Sequence, residues 1–556
     1  MAIYKSIIQV EIPWDLNLTE LLHSSARSPP VPDGHIVFED DLQGRYLTLG
    51  ELRRNAGALA YVLQEDYRPQ DQSRWTVILP NCVALIEAAH AILWLGGVFC
   101  PVNHQLPVQD FAHALSLTKS EYIIVYGPLV AKVKEAIGLA KQKNPGFQTP
   151  QILVALAPNG STSHRDLYEN IRYDKILPVP HYDKTENRLA SIHLSSGTTG
   201  LPKGVKISHL NYVANVHQLF AHDPERWTME ESVVAITPFV HLANGTVPFF
   251  LGPWTGMRHI IMSSPDKFWE TTQRTRPTTM QLVPPVAREL FLHELEKTYD
   301  LSSVKRVSPS IGNATTEEVE KYFGPGKWAL LNMYGMTEAA CWITATKTTD
   351  PVAPEEIGTL LPGMEARLVT EDRKDAPTGG PGELWLRGLN ITKGYLDNEN
   401  ANQQAFPEGD WFNTGDVVSI SSQGAFKLVG RTKELIKYNG FQVSPSELEQ
   451  YISSHPAVAD CAVSYILDPH KNELPTAYIV LKDVDQKKAT KLAKLREIHE
   501  LVDSQVAGYK KLRGGVWEVS KIARNATAKI IRRELHSLNT GLVSRLEYGR
   551  AAGSKL

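Results

Sequence analysis

From Leu194 to Gly204 the chain reads Leu-Ser-Ser-Gly-Thr-Thr-Gly-Leu-Pro-Lys-Gly, eleven residues holding three glycines, two serines, two threonines and one lysine. Glycines let successive backbone N–H groups turn inward, hydroxyls add donors without bulk, and Lys203 adds a mobile positive charge. Such a loop suits a polyanion, with the phosphates of a nucleotide the natural candidate. A flexible surface loop has the same composition, and on this stretch alone the two readings weigh equally. The common nucleotide loops are excluded: Gly197 is followed five positions later by Pro202, Lys203 is followed by Gly204, and no G-x-G-x-x-G occurs.

Four further stretches follow in order: Tyr334-Gly-Met-Thr-Glu338, Trp411-Phe-Asn-Thr-Gly-Asp416, Gly430-Arg-Thr-Lys-Glu-Leu-Ile-Lys-Tyr-Asn-Gly-Phe-Gln-Val443, and Thr527-Ala-Lys-Ile-Ile-Arg-Arg-Glu-Leu535. With Ser195–Gly204 they resemble the adenylate-forming enzymes, among them acyl-CoA synthetases, 4-coumarate–CoA ligases, beetle luciferases and peptide-synthetase adenylation domains. The resemblance implies ATP, Mg2+ and coenzyme A as cofactors. It assigns Ser195, Ser196, Gly197, Thr198, Thr199, Gly200 and Lys203 to the β- and γ-phosphates, Thr337 to the α-phosphate and Glu338 to Mg2+. Gly312, Asn313, Asn332 and Tyr334 would complete the nucleotide site, with Asp416 accepting from both ribose hydroxyls and Arg431 reaching the same sugar.

Joining a carboxylate to the α-phosphorus brings two anions together, so charge neutralisation and positioning dominate the barrier. By resemblance Lys529 stabilises that transition state. The C-terminal segment then swings about Lys433 and presents Lys437 and Gln442 for attack by CoA. His241 would lie between the acyl pocket and the α-phosphate, and Ala243, Met333, Ala339 and Trp342 would line the pocket. Met333 and Trp342 are large there, and Ala243 replaces a tyrosine that meets the phenol in hydroxycinnamate ligases, so a standard hydroxycinnamate is disfavoured. Structural alternatives stand beside each role. Thr337-Glu338 also fits a helix N-cap with a first-turn acid, Asp416 a turn residue, Lys529 a solvated lysine and His241 a core residue. The chain departs from the family pattern at Asn413, usually basic, at Ile311-Gly-Asn-Ala-Thr315, and at Ala528, usually glycine.

Helix-like spacing over Thr48–Glu65, short apolar runs at Trp75–Leu79, Val98–Val102 and Tyr122–Tyr126, and a helix over 82–94 make residues 36–125 read as one doubly wound sheet. Leu189–Leu194 reads as a strand leading into the phosphate loop, and a helix follows from Ser208. Ser232–Ile236, a helix at Ala287–Lys297, Ser303–Val307 and a single strand Ala329–Tyr334 form a second α/β run. Residues 358–415 read as a small β-rich part. The predicted architecture is therefore α/β: a large N-terminal domain (1–430) of two doubly wound subdomains plus a β-rich subdomain, hinged to a small mobile α+β domain (431–540). A tail (541–556) follows.

At 556 residues the chain exceeds one core, and its net charge of -3, with no long basic run, gives no reason to expect nucleic acid. Cys82, Cys100, Cys341 and Cys461 form no C-x-x-C pair, which points to a reducing compartment without a zinc cluster. The apolar run Val83–Val102 contains Glu87, His90 and Gly96-Gly97, so it reads as a buried helix and strand, not a membrane span. Ser554-Lys-Leu556 reads as an address for the peroxisomal import receptor. The expected function is ATP-dependent ligation of a small carboxylic acid to CoA in the peroxisome, in a style similar to fungal secondary-metabolism ligases. The rivals are a stand-alone protein loading a carrier, a light-emitting oxidation, and a nucleotide-binding protein with little turnover.

Overall fold

The computed structural model describes residues 2–24, 30–157, 166–195, 202–262, 264–282, 284–309, 326–350, 356–438, 441–468, 472–482, 487–524, 530–535, 537–538 and 541–548. The chain divides into two compact units. One comprises Met1–Arg367, Trp385–Asn413 and Ile420–Lys427; the other comprises Leu368–Leu384, Thr414–Ser419 and Leu428–Leu556.

The first unit contains two largely parallel sheets. One runs in the order Gln151–Ala155, Tyr122–Tyr126, Arg74–Ile78, Val98–Pro101, Leu189–Ser195 and Lys203–Ser208. Its strands are parallel until the last, which returns antiparallel to Leu189–Ser195. Every residue of Val98–Pro101 is buried, as a strand covered on both faces requires. Helix Leu49–Tyr67 starts where the sequence places it, because Thr48 and Glu51 form a reciprocal capping box. Helix Val83–Trp94 is buried along its whole length. The Glu87 carboxylate inside it is held by Arg45 at 2.9 Å and Asn55 at 2.7 Å, which compensates its burial. Among the described residues no helix is long and apolar enough to cross a membrane.

The second sheet runs Ala329–Leu330, Arg306–Pro309, Thr279–Leu282, Ser232–Ala235, Arg258–Ile261, Ile36–Asp40 and Arg45–Thr48. Residues 36–125 therefore do not build a single sheet: Ile36–Asp40 crosses to the second sheet and pairs in parallel with Arg258–Ile261. The expected strand Ala329–Tyr334 is also two strands. Ala329–Leu330 ends the parallel sheet, whereas Met333–Met336 pairs antiparallel with Cys341–Ala345. Asn332 marks the crossing; its Nδ2 donates to the Glu356 carbonyl at 2.8 Å. The expected helix Ala287–Lys297 begins earlier, at Pro284, and stops at His293, with Glu294 in the left-handed region (φ 46°) before a short turn Leu295–Lys297.

The second unit is a mixed sheet ordered Phe441–Val443, Ile436–Tyr438, Asn472–Leu481, Gly515–Glu518 and Val543–Ser544, with Val458–Asp468 also paired to Asn472–Leu481. Helices Pro445–Ser453 and Lys488–Gln505 close its core through Leu448, Ile452, Leu495 and Ile498 against Ile436, Val463, Ile479 and Val516.

Candidate active site

The antiparallel return of Lys203–Ser208 places Ser195 opposite Lys203, so these two residues close the phosphate-loop hairpin. Its tip, with Ser196, Gly197, Thr198, Thr199 and Gly200, lies outside the described residues, as do Gly312, Asn313, Ala528 and Lys529. The foot of the hairpin is fixed from several sides. His113 Nε2 donates to the Pro202 carbonyl at 3.0 Å, Leu396 N to the Gly204 carbonyl at 2.7 Å, and Lys206 N to the Gly394 carbonyl at 3.1 Å. The Lys203 ammonium stands over the Tyr395 ring, 4.7 Å from its centroid.

The acidic motif forms a tight reversal. Strand Met333–Met336 runs into a three-residue turn, Thr337–Ala339, that no side chain caps, so the N-cap alternative for Thr337 does not describe it. Gly335 is required: a Cβ there would lie 1.9 Å from the Cys341 carbonyl oxygen. Ala340 (φ 50°) and Cys341 (φ 121°) then adopt backbone angles that L-residues rarely take. Three side chains and an amide hold this strained turn. Thr246 Oγ1 donates to the Ala340 carbonyl at 2.9 Å, Asn390 Nδ2 to the Ala339 carbonyl at 3.0 Å, Asn215 Nδ2 to the Trp342 carbonyl at 2.9 Å, and Thr392 N to the Glu338 carbonyl at 2.8 Å. Glu338 is 7% exposed, and its Oε1 accepts a 2.9 Å hydrogen bond from the Tyr395 hydroxyl. Lys203 and Glu338, 135 residues apart in the chain, are thus brought to the same tyrosine.

His241 begins the short helix Leu242–Thr246, on which Ala243 also lies. Asn81 clamps the approach to it, donating to the Thr237 carbonyl at 2.9 Å and accepting from Phe239 N at 2.8 Å. Beside it is a buried polar chain: His193 Nε2 lies 2.9 Å from the Tyr212 hydroxyl, itself 2.8 Å from Ser191 Oγ. Burial, with a smaller effect from His241, lowers the His193 pKa to about 3, so His193 is a neutral hydrogen-bonding group. Met333 is half-buried, and its sulfur takes a contact from Arg226 Nη1 at 3.3 Å. Ala339 is fully buried, Tyr334 and Trp342 are half-buried, and the Trp342 indole N–H is buried with no hydrogen-bond partner among the described residues.

The remaining predicted residues belong to the second unit. Asp416 is buried and its Oδ1 lies 3.1 Å from Arg431 Nε. Gly415, at φ 70°, makes the turn before Asp416, and its carbonyl accepts from Thr432 N at 2.9 Å. Lys433 is exposed at the next position. Lys437 and Gln442 face each other across the Ile436–Tyr438 and Phe441–Val443 pair, and both address Glu371. Gln442 Nε2 donates to Glu371 Oε1 at 2.7 Å, and Lys437 Nζ lies 3.5 Å from the same oxygen. Arg532, three positions after Lys529, bridges Glu434 at 3.0 Å and Glu449.

The four cysteines are buried and form no disulfide, and no cluster of His, Cys, Asp and Glu with metal-holding geometry occurs among the described residues. Glu338 places a buried carboxylate beside the Tyr395 hydroxyl, and carboxylate oxygens are the ligands hard divalent cations take.

A family model described as AMP-binding enzyme matches residues 25–396, and one described as AMP-binding enzyme C-terminal domain matches residues 447–529. The chain belongs to the AMP-binding enzyme family. It is 31% identical over 555 residues to a putative acyl-coenzyme A synthetase of Emericella nidulans, covering 94% of this chain and 95% of that one. It is 29% identical over 485 residues to a probable 4-coumarate–CoA ligase 3 of Dictyostelium discoideum, covering 83% and 85%. In fold it is similar to ATP-bound MatB from Rhodopseudomonas palustris, with a TM-score of 0.79 at 24% identity over 94% of this chain and 98% of that one. These relatives support the adenylate-forming assignment made from the five motifs. The motifs did not reveal the residues between the phosphate hairpin and the acidic turn, Asn390, Thr392 and Tyr395, nor the clamps Asn81 and Asn215. The one local sign was Gly394-Tyr395, an aromatic directly after a glycine at φ 114°.

Proposed function

We propose that this member of the AMP-binding enzyme family is an AMP-forming acid–thiol ligase: carboxylate and ATP give acyl-AMP and pyrophosphate, and CoA then takes the acyl group. One observation carries the reading. A buried carboxylate, Glu338, and a cation at the foot of the phosphate hairpin, Lys203, meet at one tyrosine, the first at its hydroxyl and the second over its ring. That arrangement supplies a positive charge for the phosphates and an oxygen ligand for their cation within one rigid frame. Glu338 would hold Mg2+, which supplies charge neutralisation on the phosphates when bound. Ser195, Lys203 and the hairpin tip would hold the phosphates, Thr337 the α-phosphate, and Asp416 with Arg431 the ribose. His241 would shield the acid's carboxylate, while Lys529 would meet the charge that develops at the α-phosphorus. Lys437 and Gln442 would serve the thioester step about the Lys433 hinge.

Relatives named as CoA ligases support CoA as the acceptor over a carrier protein. Acid-dependent exchange of labelled pyrophosphate into ATP, followed by CoA-dependent release of AMP across a panel of small carboxylic acids, tests the proposal. Absence of any exchange would favour the nucleotide-binding alternative. We also propose that Ser554-Lys-Leu556 is read by the peroxisomal import receptor. Its removal should leave the purified protein active and the protein in cells cytosolic; unchanged import would refute this.

A further inference from the structure

Tyr395 has no part in the chemistry described so far, yet its placement is unusually constrained. It is 8% exposed. Its backbone forms an antiparallel bridge with Val205 on the Lys203–Ser208 strand, and its N–H donates to Asn402 Oδ1 at 2.6 Å. The Asn402 amide donates back to the Tyr395 carbonyl at 3.2 Å, which ties the residue to helix Glu399–Ala405. The neighbouring Thr392 reaches both sides, its hydroxyl donating to the Lys206 carbonyl and its N–H to the Glu338 carbonyl. Residues 389–396 therefore form a bracket between the phosphate hairpin and the acidic turn, with Asn211 Nδ2 gripping the Leu389 and Ile391 carbonyls at 2.7 and 3.0 Å.

At the centre of that bracket the two ends of the Tyr395 side chain do different things. The hydroxyl donates to Glu338 Oε1, and the ring face receives the Lys203 ammonium. A charge-assisted hydrogen bond to a carboxylate sets the orientation of that carboxylate. An ammonium held over a ring face is kept from collapsing onto that carboxylate.

We infer that Tyr395 is a positioning residue for the nucleotide's cation: its hydroxyl aims Glu338 at Mg2+ while its ring holds Lys203 ready for the phosphates. The inference rests on the ligase reading above, and binding alone can test it. Partners that orient metal ligands typically contribute about 10- to 100-fold in metal affinity. Tyr395→Phe, which keeps the ring and loses the hydroxyl, should raise the Mg2+ concentration needed for half-maximal ATP binding by that factor. The measurement is calorimetric, without acid or CoA, and ATP affinity at saturating Mg2+ should stay near wild type. Tyr395→Leu, which also loses the ring, should weaken ATP binding even at saturating Mg2+. In a Glu338→Gln background the Tyr395→Phe effect on Mg2+ should vanish. A Tyr395→Phe protein with the wild-type Mg2+ dependence, or one whose defect persists in Glu338→Gln, overturns the inference alone. So does one that only melts at lower temperature, which assigns the residue a structural role. A wild-type protein that binds no ATP at any Mg2+ concentration overturns the ligase reading and the inference with it.

Discussion

Arg431 Nε lies 3.1 Å from Asp416 Oδ1, so the two side chains assigned to one sugar are paired with each other in the same unit. The Asp416 side chain is 4% exposed and the Arg431 side chain 36%, which makes the carboxylate the buried partner. On the ligase reading, Arg431 would steady the Asp416 carboxylate that meets the diol.

Asp416→Ala should therefore abolish discrimination between ATP and 2′-deoxy-ATP, because the acceptor of the 2′-hydroxyl is gone. Its affinity for ATP should fall about 10- to 100-fold, as for loss of a charged hydrogen bond of roughly 1.5–3 kcal/mol. Arg431→Ala should lower the melting temperature more than Asp416→Ala, since it leaves a buried carboxylate without its cation. Calorimetric titration of both nucleotides checks the first claim. An unchanged preference in Asp416→Ala would remove this residue from the ribose site.

Trp342→Gly should extend the range of accepted acids, because it deletes the largest side chain at the acidic turn and removes an indole N–H that is buried with no partner among the described residues. Met333→Gly should do the same less cleanly, since the Met333 sulfur also packs on Arg226. Relative kcat/KM over a homologous series of acids should shift toward longer members. A constant ranking in both variants would show that neither residue walls the pocket.

Four buried histidines of the first unit predict a sensitivity to acid. Burial lowers the pKa of His90 and His259 to about 4, and of His193 and His209 to about 3. Each is neutral when folded and binds a proton when unfolded below the ordinary value of about 6.5. Their stabilisation is therefore complete above pH 6.5 and is lost as pH falls from 6.5 toward 3, by at most about 1.4 kcal/mol per histidine per pH unit. Melting temperature should be flat from pH 7 to 8 and drop steeply by pH 5. A flat profile to pH 5 would mean these imidazoles are not desolvated.

Much of this was legible from local sequence. Tyr122–Tyr126 is a strand over the predicted residues, and helix Leu49–Tyr67 begins where the helical spacing from Thr48 puts it. What was not legible depends on where the chain goes next. Nothing local tells Ile36–Asp40 to join the sheet of Arg258–Ile261, and nothing breaks Ala329–Tyr334 except the reach of Asn332 to the Glu356 carbonyl, 24 residues away. The motifs exposed Lys203 and Glu338 one by one. The residue that brings them together, Tyr395, lies 57 positions from its hydrogen-bond partner in a stretch of ordinary strand and turn residues.

The two lysines of the C-terminal region should separate the half-reactions. Lys437 is exposed, and among the described residues its ammonium pairs with Glu371 at 3.5 Å, a surface pair that contributes little and releases readily. Lys437→Ala should slow CoA attack on supplied acyl-AMP more than it slows pyrophosphate exchange. Lys529→Ala should do the reverse, with exchange reduced on the order of 10²–10³-fold. Equal loss of both steps in both variants would contradict a two-orientation mechanism.

The central claim is that one chain carries out both adenylation and thioester formation. It is tested most directly by incubating the purified protein with ATP, Mg2+ and a panel of carboxylic acids, and following acyl-AMP and acyl-CoA by mass in the absence and then the presence of CoA. The account predicts that at least one acid gives acyl-AMP and pyrophosphate without CoA, and that adding CoA converts it to acyl-CoA with release of AMP. Acyl-AMP that forms but never passes to CoA, or ATP that is bound and left intact with every acid, would contradict it.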